Sequence, residues 1–236
     1  MNSGSGARIL LLNPNSSVPC SAGIDAAVAG FRRAEGPAIE VVTVAGGPPG
    51  IYSWCDWHAA VGPLCQVVAR ERADVFVVAC ASDPGIAAVR EVTARPVLGV
   101  FGCAVAAALV RAERFGVIAL VDASVARHAL ALRAMGVDGR LAGEIAMNTT
   151  IEALLDPAAA RAALVAAGRA LVARGAAAVI LGCTGMAGHR EAVEAAIGVP
   201  VIEPCQAAVA QAIGIVVANT SPATLSPATR GDRAAG

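Results

Sequence analysis

The stretches Ala73-Asp74-Val75-Phe76-Val77-Val78-Ala79-Cys80 and Ala177-Ala178-Val179-Ile180-Leu181-Gly182-Cys183 read alike: an apolar run of strand length that ends on cysteine. Each is followed by a small polar loop, a helical stretch and a Pro-Val strand, Pro96-Val97-Leu98 in one case and Pro200-Val201-Ile202 in the other. Cys80 and Cys183 lie 103 positions apart, and Pro96 and Pro200 lie 104 apart. Each half also opens alike, with Arg8-Ile9-Leu10-Leu11-Leu12 and Arg114-Phe115-Gly116-Val117-Ile118. Ala-rich sequences mimic themselves easily, but a cysteine at the same strand end in both halves favours a duplication.

Working outward, the pattern predicts strands at Arg8–Asn13, Ile39–Val44, Asp74–Ala79, Pro96–Val100, Phe115–Val121, Leu141–Met147, Ala176–Gly182 and Pro200–Ile202. Several are unbroken apolar runs, as parallel strands covered on both faces require. Amphipathic helices lie between them, among them Ser124–Met135 and Pro157–Arg174, the latter with Asp156 as N-cap and Pro157 at the first helical position. Strand–helix alternation gives an α/β fold with mainly parallel sheets. Residues 1–6 are Gly/Ser-rich, and 220–236 carry two Ser-Pro steps without apolar periodicity; both are expected to be disordered tails.

Composition narrows the function. Of 236 residues 56% are hydrophobic and only 15% charged, so the chain can bury a large core. Eighteen basic side chains balance 18 acidic ones, which argues against a nucleic-acid or acidic-membrane partner. None of the basic residues is lysine, which excludes a pyridoxal-phosphate Schiff base and a Walker A loop. The seven cysteines include no C-x-x-C pair, so neither a zinc motif nor a redox motif is expected, and the odd number speaks against a disulfide framework. The N-terminus shows no signal-peptide pattern, and the longest apolar runs are too short to span a bilayer. We expect a cytoplasmic protein with free thiols, a small-molecule substrate, no metal or cofactor, and a homo-oligomeric state.

In parallel sheets ligands bind beyond the carboxyl ends of the strands. Cys80 and Cys183 both stand there, each ahead of a helical stretch whose N-terminus would favour a thiolate. Related by an approximate two-fold, the two thiols would face one another across a cleft. That suits a two-base reaction: one thiolate takes a proton from carbon and the opposite thiol returns one to the other face. Cys20, Cys55, Cys65, Cys103 and Cys205 read as inert core residues. After the first strand, Asn13-Pro14-Asn15-Ser16-Ser17 reads equally as a binding loop and as ordinary loop and cap chemistry. Tyr52, Trp54 and Trp57 fall in one Gly/Pro-flanked loop, either a substrate lid or a satellite cluster, with Asp56 orienting it. Asp83 is placed to cap the helix after Cys80 or to touch substrate. His58 and His128 have no partner motif, and His189 reads as a solvated helix residue.

The motifs N-P-N-S-S, A-C-A-S-D-P-G (Ala79–Gly85) and L-G-C-T-G-M (Leu181–Met186) resemble the aspartate/glutamate/hydantoin racemase superfamily, and within it the hydantoin/allantoin branch. The resemblance covers about residues 8–217. It implies two pseudo-symmetric flavodoxin-like lobes with a cofactor-free active site between them, with Cys80 and Cys183 as catalytic thiols. Lobe one would take 7–98 plus 206–219 and lobe two 99–205. Asn13, Asn15, Ser16, Ser82, Asp83, Thr184 and Gly185 would bind substrate, with backbone N–H groups around Ser82-Asp83 and Thr184-Gly185 holding an enolate. Amino-acid racemases of the superfamily typically show Asn-Thr after the first cysteine, where Ala81-Ser82 stands here. Hydantoin racemases usually carry Phe where Ala81 stands and often an acidic residue where Tyr52 stands, which implies a reshaped pocket. The expected activity is racemisation of a 5-substituted hydantoin or allantoin. Alternatives are racemisation of aspartate or glutamate, a malonate-type decarboxylation that goes with one of the two cysteines, and a non-catalytic binding module. No arginine falls in the three motif loops, and Arg90 and Arg190 look solvent-facing, which argues against a dicarboxylate.

Overall fold

The structure, a computed structural model, describes residues 6–155 and 157–219. The expected tails, apart from Gly6, and the proposed cap Asp156 lie outside the described residues. Two four-stranded sheets form. The first has β1 (Arg8–Asn13), β2 (Ala38–Thr43), β3 (Val75–Val78) and β4 (Val97–Gly99) in the order β2-β1-β3-β4. The second has β5 (Phe115–Ala119), β6 (Leu141–Ala146), β7 (Ala178–Gly182) and β8 (Val201–Ile202) in the order β6-β5-β7-β8. Every pairing is parallel. The strands are those expected, with ends moved by one or two residues.

The two sheets repeat each other in register. Phe76 pairs with Val97 as Val179 pairs with Val201, and Ile9 pairs with Val75 as Phe115 pairs with Ala178. These correspondences keep the spacing of the two cysteines and the two prolines, so the sequence repeat is a structural one. In each sheet the strand order reverses beside the first strand of its half, the switch point at which α/β folds open a crevice.

Each sheet is covered on both faces, which is why its strands are apolar throughout. On the first sheet, Ile9, Leu11, Val75 and Val77 meet α1 (Val18–Val28) and α9 (Pro204–Asn219), while Leu10, Leu12, Phe76 and Val78 meet α3 (Val61–Arg70) and α4 (Ile86–Glu91). On the second, Ile118, Val179 and Leu181 meet α7 (Pro157–Ala173) and α8 (Arg190–Ile197). Helix α5 (Val100–Leu109) packs on both sheets: Val100 and Cys103 face the first, Phe101, Ala104, Val105 and Ala108 the second. Its alanines let the sheets approach closely enough to share it. The other helices are α2 (Trp54–Ala59) and α6 (Asp122–Ala134), and short 3-10 turns include Thr184–His189. Among the described residues no helix is long and apolar enough to cross a membrane.

Candidate active site

The carboxyl ends of β1, β3, β5 and β7 converge on a cavity of about 40 Å³. Cys80 and Cys183 both line it, together with Asn15, Ser82 and Thr184. The two thiols lie close enough for a charge on Cys80 to act on Cys183. Of the other expected binding residues, Asn13, Ser16, Asp83 and Gly185 are not in the lining.

The loop after β1 is set by Asn13, which is 1% exposed. Its Nδ2 donates to Asn15 Oδ1 at 3.0 Å, the Ser17 carbonyl at 3.1 Å and Ser21 Oγ at 3.0 Å. Asn15 Oδ1 also accepts from the Ser17 N–H at 2.9 Å. Asn13 thus spends its amide fixing the neighbour that reaches the cavity. Ser16 is turned the other way, its N–H donating to the Pro48 carbonyl at 2.9 Å.

The cysteine loops share one device. The N–H two residues on, that of Ser82 for Cys80 and of Gly185 for Cys183, points at the thiol. Ser82 adds its hydroxyl, 3.5 Å from Cys80 Sγ. Gly185 therefore serves its own cysteine, and the Asp83 N–H is taken by the Cys80 carbonyl at 2.9 Å, so neither forms the substrate-facing donor expected of it. The expected helix dipole is also missing at Cys80: α4 begins only at Ile86, and Cys183 precedes a 3-10 turn. Both cysteines are half-buried, the open part facing the cavity. Burial pushes the Cys80 thiol up, against the pull of Ser82 and Arg127. It pushes Cys183 up to about 12, partly offset by the Gly185 N–H. At neutral pH the site holds thiols, not the resting thiolate that a helix N-terminus would have favoured.

Asp83 acts as a cap, but of α5 and not of the helix after Cys80. Its Oδ1 accepts from the Phe101 N–H and its Oδ2 from the Gly102 N–H, each at 2.9 Å. Asp83 sits at φ 44°, a region that Asp tolerates, and a Cβ at Gly99 would overlap its carboxylate. Burial raises its pKa to about 6 despite those two N–H groups. In the second half the same task falls to Glu203, at the position matching Gly99, which accepts from the Cys205 and Gln206 N–H groups at the start of α9. Met186, fully buried, stands where Asp83 would be.

Helix α6 supplies what the sequence reading missed. Ser124, Arg127 and His128 line the cavity and are buried, Arg127 at 4% and His128 at 0% exposure. His128 Nδ1 bonds Glu144 Oε1 at 2.5 Å and its ring stacks on Phe101, the centroids 4.3 Å apart. Arg127 Nη2 donates to Ser124 Oγ at 3.1 Å, while Nε and Nη1 make no hydrogen bond. No arginine falls in the three motif loops, but Arg127 reaches the cavity from α6, which weakens the argument drawn from their absence there. The signal was present in the i, i+3, i+4 spacing of three polar residues on the face of α6 turned to the core. His189, expected in solvent, is buried. Cys55, expected in the core, is exposed, and Cys20 and Cys65 are half-buried.

The aromatic loop crosses from the first sheet to the second. The Tyr52 hydroxyl accepts from the Ile151 N–H at 3.3 Å, and Tyr52 packs in the second sheet's core cluster. Trp57 Nε1 donates to the Ser82 carbonyl at 3.0 Å, and the Arg127 guanidinium lies 5.8 Å from the Trp54 ring centre. Ser53 and Asp56 cap α2 reciprocally, so Asp56 does orient this segment. Ile51 and Ile151 also line the cavity.

Two repeated parallel sheets that bring their strand ends to one shared cavity define an α/β enzyme with its site between lobes. The family model described as Asp/Glu/hydantoin racemase matches residues 9–212, and the chain belongs to that family. It is a racemase. It is 35% identical to the hydantoin racemase of Paenarthrobacter aurescens over 208 residues, 85% of this chain and 87% of that protein. With the hydantoin racemase of Pseudomonas sp. (strain NS671) it shares 32% identity over 217 residues, 89% of this chain and 86% of the relative. The structure of allantoin racemase from Klebsiella pneumoniae is similar at a TM-score of 0.83 and 25% identity, over 98% of this chain and 97% of that one.

Proposed function

We propose that this racemase interconverts the enantiomers of a 5-substituted hydantoin or allantoin, without a cofactor, by proton transfer between Cys80 and Cys183. The observation that carries the reading is that the two cysteines, from equivalent strand ends, line one cavity whose other polar groups include neutral amides and hydroxyls. The similarity to hydantoin and allantoin racemases supports the same substrate class. One cysteine, as thiolate, takes the C5 proton and becomes a thiol. The electron pair moves into the adjacent carbonyl, giving an enolate. The other thiol gives its proton to the opposite face of C5 and is left as the thiolate. Asn15, Ser82 and Thr184 hold the ring's amide and carbonyl groups. The Ser82 and Gly185 N–H groups stabilise whichever sulfur carries the charge.

Arg127 favours a second reading, racemisation of an acidic amino acid, because a buried cation suits a carboxylate. A zwitterion, however, also needs an anion for its ammonium group, and among the described residues no Asp or Glu lines the cavity. Polarimetry with enantiopure 5-methylhydantoin, 5-benzylhydantoin, allantoin, aspartate and glutamate tests the assignment. Turnover of a hydantoin or allantoin well above that of either amino acid is expected; the reverse order overturns it.

A further inference from the structure

Arg127 steadies charge on Cys80, but holding a neutral ring makes no use of its guanidinium as a hydrogen-bond donor. The ring's carbonyls and N–H groups are met by uncharged side chains, and proton transfer needs only the thiols. Yet α6 carries a guanidinium into the lining at 4% exposure, with Nε and Nη1 unpartnered. A buried cation with two of its three nitrogens unbonded is costly, and a partner arriving from outside would offset that cost. The surroundings of Arg127 hold it in place without satisfying it. Ser124 Oγ takes one bond and the Trp54 ring lies against the guanidinium. Asp56 is near enough to be felt, but its Oδ2 is taken by the N–H groups of Tyr52 and Ser53 and by the Ser53 hydroxyl, at 3.1, 2.9 and 2.8 Å. No ion pair joins Asp56 and Arg127 among the described residues. Among the described residues lining the cavity, then, there is one fixed positive charge and no carboxylate. That balance matches a neutral ring carrying one anionic substituent, and neither a wholly neutral ligand nor a zwitterion.

We propose that Arg127 recognises a carboxylate on the 5-substituent of the substrate, so that the hydantoins this enzyme prefers are acidic ones, such as hydantoin-5-acetate. The proposal rests on the hydantoin reading above and adds the chemistry of the side arm. Guanidinium and carboxylate are matched in shape and charge, and at a buried guanidinium the pairing discriminates strongly against analogues that leave the cation bare.

The test measures kcat/KM for racemisation of hydantoin-5-acetate, its amide and 5-methylhydantoin, with aspartate alongside. For the wild-type enzyme the acid is expected to exceed the amide by about 10- to 100-fold. In Arg127→Gln that acid-to-amide ratio is expected to collapse towards one, whatever the absolute rates, and in Arg127→Lys it is expected to be partly kept. Racemisation of neutral hydantoins with no preference for the acid in the wild-type enzyme overturns this proposal alone. So does an Arg127→Gln enzyme that keeps the ratio, which would leave Arg127 acting on Cys80 or on the ring. Turnover of aspartate but of no hydantoin overturns the substrate reading and this proposal together. The wild-type comparison stands even if Arg127→Gln does not fold.

Discussion

Each thiol carries its own stabiliser, the N–H two residues further along, but Cys80 has the Ser82 hydroxyl and the Arg127 charge besides. In the proposed mechanism the two sulfurs are therefore unequal partners in a symmetric task. Cys80→Ser and Cys183→Ser are each expected to abolish net racemisation, while each retains exchange of the α-proton of one enantiomer in deuterated water; full racemase activity in either variant would sink the two-thiol mechanism. Because burial raises both thiols, the base is scarce at neutral pH, and its thiolate fraction grows as pH rises. The expected outcome is a kcat/KM that climbs from about pH 6 to about pH 9. A profile flat over that range would mean that the proton is taken by something other than a buried thiol. Both cysteines were legible in the sequence because a polarisable side chain closing an apolar strand is a local pattern, and it occurred twice. Arg127 and His128 were not: neither belongs to a motif, and only the packing of α6 and its partner Glu144 on β6 shows which way they face.

Helices α5 and α9 follow equivalent strands and are capped by opposite exchanges. In the first half Asp83 reaches in from the cysteine loop and Gly99 makes room; in the second Glu203 takes the position of Gly99 and Met186 fills that of Asp83. Asp83→Ala leaves two N–H groups at the start of α5 without acceptors and is expected to cost about 1–2 kcal/mol, or roughly 2–8 °C in melting midpoint. Asp83→Asn keeps one acceptor and cannot ionise. Since the fold raises the Asp83 pKa from 3.8 to about 6, the wild-type residue favours the folded state most below 3.8 and loses that contribution as pH rises to about 6. The melting midpoint of Asp83→Asn should therefore gain on that of the wild type across this window; a constant difference would show that Asp83 does not titrate there. The strands themselves could be read from apolar runs and Pro-Val punctuation. The cap could not, because the acid and the helix it serves are 18 residues apart and only the β3–β4 pairing brings them together.

At the scale of the molecule, the cavity is too small for the substrate it is proposed to take. An engineered protein cavity that holds benzene is about 150 Å³, and a substituted hydantoin is no smaller. At about 40 Å³ the site has to widen for entry and release, and the expected movement is a parting of the lobes. Small-angle scattering is expected to show a larger radius of gyration for free enzyme than for enzyme saturated with substrate; identical values would place the motion in the Tyr52–Trp57 segment alone. The shared helix α5 and the Tyr52–Ile151 bond are the links such a movement strains. Closing of the site around substrate is expected also to keep the thiol protons from bulk water. On the proposed two-thiol mechanism, a turnover in one direction leaves the charge on the sulfur that began as the acid, and the starting arrangement returns only when the site opens and the protons re-equilibrate, or when the mirror-image molecule binds next. An enzyme working in that way comes out of each cycle with a memory of the hand it last received, and at high substrate its pace in one direction is set by how fast it forgets.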